Sequence, residues 1–467
     1  MSRVKFGTDG WRAVIAKDFT FENLEVVSQA IADYLKEIHK KKKTKVVIGY
    51  DARFLSQEFA ETVAKVLCAN NIKAVLADNK VPTPIVSFYA KFRKCDLGVM
   101  ITASHNPHQF NGLKIKTPQG GAAGIQITSK VEKLLFRRKV KTISLEEAKE
   151  KRLLEIKDLS IDYIKFLKGY VNMAIIKKLK MNVLLDVMYG SGDTYIERVL
   201  KQSKIKLSYL HKEFNPSFGG IHPEPTEHNL QELISRMKSG KYDLGVALDG
   251  DGDRIACVLK GGRYINAQVL LPLLAEHLAR DKKKKGAIVK TVVGSNLIDV
   301  VAMDLNRILF ETPVGFKYIS DLFQNEDILI GGEEAGGIGF KNYIPERDGT
   351  MAALLLLEMA GFLKKKPENI VKSFEKKFGR WYYSRISVPV GKINKHSLEK
   401  IKVPEKLLGK KVERVNRLDG IKIITKSHWL MFRASGTEPI VRVYAEAKSK
   451  KSADRLIGLG RKILDAL

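Results

Sequence analysis

Short runs of consecutive apolar residues alternate along the chain with longer segments in which apolar residues recur at helical spacing. The run over 45–49 precedes a helical pattern over 56–70, and the run over 183–187 precedes one over 192–202. Unbroken apolar runs are typical of strands buried on both faces, and strands that alternate with amphipathic helices are typical of α/β layers. The pattern therefore predicts mixed, largely parallel sheets through most of the chain.

The C-terminal part of the chain, from residue 373 onward, follows a different pattern. Short predicted strands precede one helix in which Leu456, Ile463 and Leu467 recur at helical spacing. Because 467 residues exceed what one hydrophobic core usually serves, several domains are expected. The predicted fold class is multidomain α/β: three successive α/β domains with mixed, largely parallel sheets, plus a smaller C-terminal α+β domain. The predicted boundaries are 1–145, 146–255, 256–372 and 373–467.

The chain is strongly basic, with 82 Lys and Arg against 52 Asp and Glu and a formal net charge of +30. Such a charge would suit a nucleic-acid-binding protein, which is the alternative from a different functional class. The lysines, however, cluster near probable helix ends at 40–43, 282–285 and 364–366, where positive charge complements the helix dipole. No zinc-finger spacing, aromatic platform or single basic helix accompanies them. We therefore expect no nucleic-acid partner and a surface that attracts anionic small molecules.

Membrane proteins and disulfide-rich proteins are also disfavoured. The longest apolar helix, predicted over 351–363, is interrupted by Glu358 and is too short to span a bilayer, and the N-terminus has no apolar signal core. Cys68, Cys95 and Cys257 are widely separated and odd in number, so neither a disulfide framework nor a zinc site is indicated. We expect a cytoplasmic protein without a membrane partner.

Three aspartates within five residues, Asp249, Asp251 and Asp253, follow an apolar run. At about 5 Å and an effective dielectric of about 20, each pair of carboxylates repels by roughly 3 kcal/mol unless a cation lies between them. Hard oxygen ligands of this kind suit Mg²⁺ or Mn²⁺. An EF-hand would need Gly and Glu where Arg254 and Lys260 stand. A solvated acidic turn is the alternative that stays open.

Ser104 follows the apolar run over 97–101 and should be exposed at the end of a strand. Because Ser104 and His105 are adjacent, their side chains point in divergent directions and do not by themselves make a nucleophile and base pair. The Gly-x-Ser-x-Gly elbow of hydrolases is also absent, so a serine hydrolase is disfavoured. A polar turn before Pro107 is the alternative.

Two further polar segments carry candidate binding groups. The segment 433–439, with Arg442 shortly after it, combines hydroxyls, a glycine and guanidinium groups that can cradle a phosphate, although an ordinary hairpin loop has a similar composition. The segment 331–337 offers Glu333 and Glu334 as acceptors for sugar hydroxyls, with plain surface charge as the alternative. No Walker or Gly-x-Gly-x-x-Gly pattern occurs, so nucleotide binding by those routes lacks support.

Together these segments resemble the α-D-phosphohexomutase family, which includes phosphoglucomutases and phosphomannomutases. The resemblance extends over nearly the whole chain, and the matching segments are 6–13, 49–53, 102–107, 111–114, 249–254, 333–337 and 433–439. Each segment is a modest signal, but their order and spacing are specific. The resemblance implies a phosphoserine enzyme that interconverts hexose 1-phosphate and hexose 6-phosphate, with hexose 1,6-bisphosphate as intermediate and activator.

The resemblance also implies a role for each matching residue. Ser104 would carry the phosphoryl group and join Asp249, Asp251 and Asp253 around one Mg²⁺ per chain. Lys114 is the candidate for proton transfer at the sugar hydroxyl, provided that burial or neighbouring cations lower its pKa; on composition alone it would be a solvated lysine. The other implied catalytic residues are Arg12, Arg254 and Arg347. The implied substrate-binding residues are Glu333, Lys317, Arg433, Ser435, Gly436, Thr437 and Arg442.

A few positions bear on which sugar the resemblance implies. Ala335 stands where many members carry Ser, and Gly337 stands where mannose-accepting members often carry His. The segment 312–317 is closer to glucose-preferring relatives, and Arg347 matches a basic position in those relatives. We therefore favour a phosphoglucomutase, with a phosphomannomutase or a phosphoglucosamine mutase as alternatives within the family.

A metal-dependent phosphatase is the alternative outside the family. The protein is expected to bind sugar phosphates as a monomer or homodimer.

Overall fold

The computed structural model describes residues 4–7, 9–39, 43–192, 194–389, 398, 400–434 and 440–465. These residues form four sheets of four to six strands and one two-stranded sheet. The first three sheets mix parallel and antiparallel pairs and alternate with helices, whereas the last large sheet is antiparallel. This arrangement confirms the predicted fold class of three α/β domains followed by a smaller C-terminal domain.

The first sheet is built from six strands. They are β1 (Trp11–Val14), β2 (Lys45–Tyr50), β3 (Lys73–Ala77), β4 (Leu97–Ile101), β5 (Phe110–Lys116) and β6 (Leu154–Lys157). The helices of this part of the chain are α1 (Phe21–Ile38), α2 (Ser56–Ala69), α3 (Thr83–Phe92), α4 (Ile125–Leu134) and α5 (Leu145–Glu150). The strand order is β1-β5-β4-β2-β3-β6. The predicted strand over 45–49 and helix over 56–70 are confirmed as β2 and α2.

The second sheet is built from five strands. They are β7 (Asn182–Asp186), β8 (Lys206–Leu210), β9 (Leu244–Leu248), β10 (Ile255–Leu259) and β11 (Arg263–Ile265), in the order β11-β10-β9-β7-β8. The helices are α6 (Ser160–Tyr170), α7 (Met173–Lys178), α8 (Tyr195–Leu200) and α9 (Gln231–Lys238). The helix predicted over 192–202 is therefore shorter than expected. Gly190 and Gly192 belong to a turn instead, and a Cβ added at Gly190 would lie 2.7 Å from the Gly250 carbonyl oxygen.

The third sheet is built from four strands. They are β12 (Ala287–Thr291), β13 (Leu309–Thr312), β14 (Ile328–Gly332) and β15 (Ile338–Phe340), in the order β13-β12-β14-β15. The helices are α10 (Ala267–Glu276), α11 (Asn296–Asp304), α12 (Phe316–Asn325), α13 (Gly349–Leu363) and α14 (Pro367–Phe378). A π-helical turn over His277–Asp281 continues α10. The buried apolar helix predicted over 351–363 is confirmed as α13.

The three sheets repeat one strand order. In each sheet, four strands numbered in chain order pair in the same way. The first strand pairs in parallel with the second on one side and with the third on the other, and the fourth strand pairs antiparallel with the third. The resulting orders are β5-β4-β2-β3, β10-β9-β7-β8 and β15-β14-β12-β13. In each sheet the loop between the third and fourth strands follows the carboxyl end of a buried parallel strand. Ser104, Asp249 and Glu333 lie in these three equivalent loops, so the fold presents similar positions of three sheets to one site.

The C-terminal sheet is antiparallel and contains β16 (Tyr382–Pro389), β19 (Arg414–Asn416), β20 (Ile421–Ile424), β21 (His428–Ala434) and β22 (Ile440–Ala447). The remaining elements are the strand pair β17 (Lys406–Leu407) and β18 (Lys410–Lys411) and the helix α15 (Lys450–Asp465). Leu456 of α15 is fully buried in a core that includes Phe432 and Val443, which confirms the predicted terminal helix. Leu467 lies outside the described residues.

Three strands belong to the sheet that precedes them although all or most of their residues lie beyond a predicted boundary. β6 pairs with β3, past the boundary at 145, while β10 pairs with β9 and β11 pairs with β10, past the boundary at 255. The boundaries stay predictions. Within the described ranges every helix is too short or too polar to cross a lipid bilayer.

Candidate active site

The loops after β4 and β9 meet at Ser104 and Asp249, which are 145 residues apart in sequence. The Ser104 hydroxyl donates to Asp249 Oδ2 at 3.3 Å, and both side chains are buried, so the expectation that Ser104 is exposed is wrong. Gly250 permits this approach, because a Cβ there would lie 2.7 Å from the Ser104 carbonyl oxygen. The third loop joins them through its backbone, since Ile255 N donates to Gly336 O at 3.0 Å. The three sheets therefore bring their equivalent loops together.

The Ser104 loop is held in an uncommon conformation. Ser104 has a φ of 55°, in the left-handed region that non-glycine residues rarely adopt. Its amide donates to Thr102 Oγ1 at 2.8 Å. The buried Arg53 guanidinium donates to the carbonyl of Ser104 at 2.6 Å and to that of Asn106 at 2.7 Å, and it pairs with Asp51. Arg53 lies in the matching segment 49–53 but is not among the implied site residues; in the structure it supports this loop.

The three aspartates of the loop after β9 form one cluster. Asp249, Asp251 and Asp253 each offer an oxygen within 4.8 Å of the others, and all are fully buried. Among the described residues, no hydrogen-bond partner faces Asp251 Oδ1 or Asp253 Oδ1. Orphaned buried carboxylate oxygens in an all-oxygen cluster fit a hard divalent cation such as Mg²⁺. Thr83, at the start of α3, donates its hydroxyl to Asp251 Oδ2 at 2.5 Å and so orients that carboxylate.

The charges of the cluster are unevenly compensated. Burial and the neighbouring Asp253 and Asp251 raise the pKa of Asp249 well above its ordinary value. Burial also acts to raise the pKa of Asp251, but the Lys114 ammonium and the Thr83 hydrogen bond lower it overall. Burial also raises the pKa of Asp253, although Arg347 and Lys114 oppose the shift, so three carboxylates at this spacing still repel one another. A bound cation would remove that repulsion.

Lys114 lies at the centre of this charge. Its ammonium lies 2.8 Å from Asp251 Oδ2, 3.0 Å from Asp9 Oδ2 and 3.4 Å from Asp253 Oδ2, and the side chain is 1% exposed. Burial lowers the pKa of Lys114, but these carboxylates outweigh it and raise the pKa above the ordinary value. Proton transfer by Lys114 would require a lowered pKa, and this arrangement of charges raises the pKa instead. The solvated lysine considered as its alternative is wrong as well.

Asp9 is a site residue that the sequence did not single out. Besides Lys114, its carboxylate contacts Arg347 at 2.9 Å and Arg12 at 3.6 Å. Burial acts to raise the pKa of Asp9, but Lys114 and Arg347 hold it well below its usual range. Arg12 in turn donates to Asn106 Oδ1 at 2.7 Å, beside Ser104. Asp9 therefore orients three of the predicted cationic groups.

Arg254 and Arg347 flank the aspartates. Arg254 Nη1 lies 3.2 Å from Glu224 Oε1, and its Nε lies 3.8 Å from Asp249 Oδ2. Arg347 Nη2 lies 2.8 Å from Asp253 Oδ2, and its Nη1 lies 3.3 Å from Glu333 Oε2. Both arginines thus face the point where the serine and the aspartates meet.

The predicted sugar loop contains one unusual carboxyl. Glu333 is 9% exposed, and burial raises its pKa to about 7 although Arg347 opposes the shift. A carboxyl with a pKa near neutral pH is present in both protonated and ionised forms, and its protonated form can donate as well as accept hydrogen bonds. Lys317 lies in the first turn of α12, where its ammonium is 4.9 Å from the centre of the Tyr318 ring. The structure gives Lys317 no contact with the other predicted site residues among those it describes.

The C-terminal domain contributes a pair of arginines. Arg433 of β21 stands directly opposite Arg442 of β22 in the antiparallel register, so both side chains lie on one face of the sheet. Arg433 Nε lies 2.8 Å from Asp419 Oδ2. Like charges opposite one another are unfavourable unless an anion lies between them. Ser435, Gly436 and Thr437, predicted to complete this phosphate cradle, lie outside the described residues.

Arg385 is a second residue that the sequence did not reveal. It lies in β16, opposite Tyr444 of β22. Residues two apart on a strand share a face, so Arg385 lies on the same side of the sheet as Arg442 and Arg433. The electrostatic neighbours of Arg385 include Glu334 and Glu224, which belong to the other domains. A cationic face of the C-terminal sheet is therefore turned toward the predicted sugar loop.

The chain matches four family models in order. They are phosphoglucomutase/phosphomannomutase alpha/beta/alpha domain I over 3–141, domain II over 161–262, domain III over 266–378, and the C-terminal domain over 398–458. Together they cover the same series of sheets that the structure contains.

Individual relatives are similar along their whole length. A phosphoglucomutase/phosphomannomutase from Thermococcus kodakarensis is 30% identical over 460 residues, which cover 98% of each chain. A phosphoglucosamine/phosphogalactosamine mutase from Sulfurisphaera tokodaii is 29% identical and covers 98% of this chain and 99% of its own. The crystal structure of a Thermus thermophilus protein assigned as a phosphomannomutase has 32% identity and a TM-score of 0.88, with 99% of each chain covered. These relatives differ in their named sugars.

Proposed function

The chain belongs to the phosphoglucomutase/phosphomannomutase family and is a phosphohexomutase, and on this premise we propose that it interconverts glucose 1-phosphate and glucose 6-phosphate with Ser104 as the phosphoryl carrier. The observation that carries the proposal is the hydrogen bond of 3.3 Å from Ser104 to Asp249. It joins the candidate phosphoryl carrier of the first sheet to the candidate metal ligands of the second.

In the proposed reaction the bond between Ser104 Oγ and phosphorus breaks as a sugar hydroxyl oxygen bonds to the same phosphorus. The proton that the sugar hydroxyl loses ends on Ser104 Oγ, which is left as a hydroxyl. The hexose 1,6-bisphosphate that forms returns its other phosphoryl group to Ser104 after turning round. Mg²⁺ held by Asp249, Asp251 and Asp253 would neutralise charge on the transferring group. We propose that the bisphosphate also serves as the activator, because it rephosphorylates Ser104 whenever the enzyme loses its phosphoryl group.

The cations of the site fit roles in positioning and charge neutralisation. Arg12, Arg254 and Arg347 face the serine and the aspartates from different elements, and each is held by a carboxylate. The ammonium form of Lys114 fits the same role at the phosphoryl group. A role for Lys114 as a base requires that the negative potential of Asp9, Asp251 and Asp253 be offset. Arg433 and Arg442 would hold the phosphate that does not react.

The preference for glucose is supported by a steric relation between Gly337 and Arg347. A Cβ added at Gly337 would lie 2.1 Å from Arg347 Cδ, so Arg347 occupies the space that a side chain at 337 would need. Position 337 is where mannose-accepting relatives often carry His. The guanidinium of Arg347 also lies 5.3 Å from the centre of the Phe316 ring, within the aromatic segment that resembles glucose-preferring relatives.

A coupled assay of the purified protein tests the proposal. Glucose 1-phosphate, mannose 1-phosphate and glucosamine 1-phosphate are compared with catalytic glucose 1,6-bisphosphate and Mg²⁺, and release of inorganic phosphate is measured in parallel. We expect turnover to be fastest with glucose 1-phosphate, with little phosphate released. Ser104→Ala should lose nearly all mutase activity while its circular dichroism spectrum is unchanged. A preference for another sugar, phosphate release that matches substrate loss, or substantial turnover by Ser104→Ala would each contradict a part of it.

A further inference from the structure

A groove of about 880 Å³ lies outside the active site, where α3, α6 and the segment after α10 meet. Its aromatic lining consists of Phe88, Phe92, Phe166 and Tyr170. The basic side chains around it are Arg93, Lys165, Lys282 and Lys284, and Asp162 is the one acidic residue of the described lining. It adjoins the C-terminal end of α3, whereas the N-terminal end of that helix contacts Asp251. Among the described residues, no predicted site residue borders the groove.

The aromatic residues form a contiguous cluster in which the rings of Phe88 and Phe92 are stacked and that of Phe166 is tilted against both. Phe92 lies on Phe88 with ring centres 4.2 Å apart and an interplanar angle of 20°. Phe166 lies 5.2 Å from Phe92. Nevertheless 42% of Phe92 is exposed. An exposed ring on top of an aromatic stack offers a surface on which another planar ring can lie.

The basic residues differ in how well they are neutralised. Arg93 Nε donates to Asp162 Oδ2 at 2.6 Å, and Lys282 pairs with Glu358. Within the described part of the chain, no carboxylate lies at ion-pair distance from Lys165 or Lys284. The Lys284 ammonium lies 3.9 Å from the centre of the Tyr170 ring. Burial and the nearby Lys282 lower the pKa of Lys284 to about 8. Among the described residues, the groove therefore holds two lysines without an ion-pair partner beside its aromatic wall.

We propose that this groove binds a nucleoside phosphate, with the base against Phe92 and Phe166 and the phosphate at Lys165 and Lys284. Its volume falls within the roughly 300–1,000 Å³ of small-molecule sites. Nucleic-acid bases of every kind stack on exposed aromatic rings, because each base has a flat aromatic face, and lysine is a common phosphate partner. A neutral aromatic ligand would leave the lysines without a partner, and a free phosphate would not cover the rings. Binding of this kind needs no glycine-rich loop, and it does not depend on the sugar that the active site accepts.

Calorimetric titration of the full chain with ADP tests the inference. The titration is made both without and with saturating glucose 1-phosphate and Mg²⁺, which occupy the active site of the proposed phosphoglucomutase. We expect ADP to bind with a dissociation constant below about 1 mM, and adenosine and inorganic phosphate to bind about tenfold or more weakly. Lack of ADP binding up to about 5 mM, or loss of binding when glucose 1-phosphate is added, would overturn the inference.

Variants locate the binding. The double variant Lys165→Gln/Lys284→Gln and the single variant Phe92→Leu should each weaken ADP binding about tenfold. Lys285→Gln is the matched control, because Lys285 is an exposed neighbour of Lys284 that does not line the groove, and it should bind ADP like the parent protein. Thermal unfolding checks that each variant is folded. Equal ADP affinity in the parent and in both groove variants would show that the nucleotide binds elsewhere.

Discussion

Lys116 and Glu346 form an ion pair of 2.5 Å between the first and third sheets, and neither side chain is exposed. The other oxygen of Glu346 accepts from Arg347 N at 3.0 Å and from Arg347 Nε at 3.2 Å. Lys116 therefore acts on Arg347 through Glu346, although within the described ranges it forms no ion pair with a predicted site residue itself. This pair joins two domains directly behind the point where Arg347 faces Asp253.

Removing one member of this pair should be costly. Lys116→Met leaves Oε2 of the buried Glu346 without its ion-pair partner, while Arg347 contacts only Oε1, and we expect a loss of about 3–5 kcal/mol in the free energy of unfolding. Urea denaturation measures it. Lys151→Met is the matched control, since Lys151 pairs with Glu147 on the surface with side chains 54% and 44% exposed; it should cost less than about 1 kcal/mol. Equal effects of the two substitutions would mean that burial does not set the strength of the pair.

The close approach of the Ser104 and Asp249 loops should make Gly250 intolerant of a side chain. Gly250→Ala places a Cβ 2.7 Å from the Ser104 carbonyl oxygen. We expect a loss of about 1–3 kcal/mol in stability and a much larger relative loss of activity, because backbone atoms must move at the site. Gly458→Ala is the control, because beyond the adjoining backbone of α15 no described atom lies within 4 Å of its added Cβ; it should stabilise by about 0.5–1 kcal/mol. Calorimetry and the coupled assay measure both. A Gly250→Ala enzyme with parental activity would contradict this account.

The carboxylate cluster should show opposite responses with and without metal. In EDTA, Asp249→Asn should be at least as stable as the parent protein, because it removes repulsion within a buried cluster of three aspartates. Added Mg²⁺ should stabilise only the parent protein, by about 2.7 kcal/mol at a hundredfold excess over the dissociation constant. Thermal unfolding in EDTA and in Mg²⁺ measures the stability of the parent and of Asp249→Asn under each condition. If Mg²⁺ stabilised the parent and the variant equally, the ion would bind at another place.

Glu333 should make stability depend on pH. Burial raises its pKa from 4.5 to about 7, so the folded protein binds more protons at this carboxyl than the unfolded chain between these values. The stability that Glu333 contributes is present below pH 4.5 and is lost as the pH rises through about 7. As the pH rises from about 5 to about 8, the parent should therefore lose on the order of 2 kcal/mol in the free energy of unfolding relative to Glu333→Gln. Urea denaturation at both pH values measures the change.

The exposed Glu413 provides the control for this pH series. Glu413→Gln should change stability equally at both pH values, because a solvated carboxylate gains little from being replaced by an amide. A Glu333→Gln variant that behaves in the same way would place Glu333 in a solvated environment and remove the basis of the prediction.

Local order in the fold could be predicted because it depends on short-range patterns. The run over 97–101 became β4 with every residue buried, and the predicted strand and helix at 45–49 and 56–70 differ from β2 and α2 by one residue each. The helix at 192–202 was predicted too long at its start, where Gly192 packs against Leu248 of β9, a contact that no local window contains. The succession of three α/β domains and a C-terminal domain could be predicted from the pattern of strands and helices. The shared strand order of the first three sheets could not, because it depends on which strands pair in space.

The sequence by itself determined the local properties on which the predicted site rests: the spacing of Asp249, Asp251 and Asp253, and the position of Ser104 after a strand. Only the tertiary structure decided the charge state of Lys114, because Asp9 and Asp251 reach it from other elements. The same holds for the support of Ser104 by Arg53. The physical reason is that backbone periodicity and side-chain sterics act over a few residues. Electrostatic energies and hydrogen bonds depend on distance in space, and packing sets that distance.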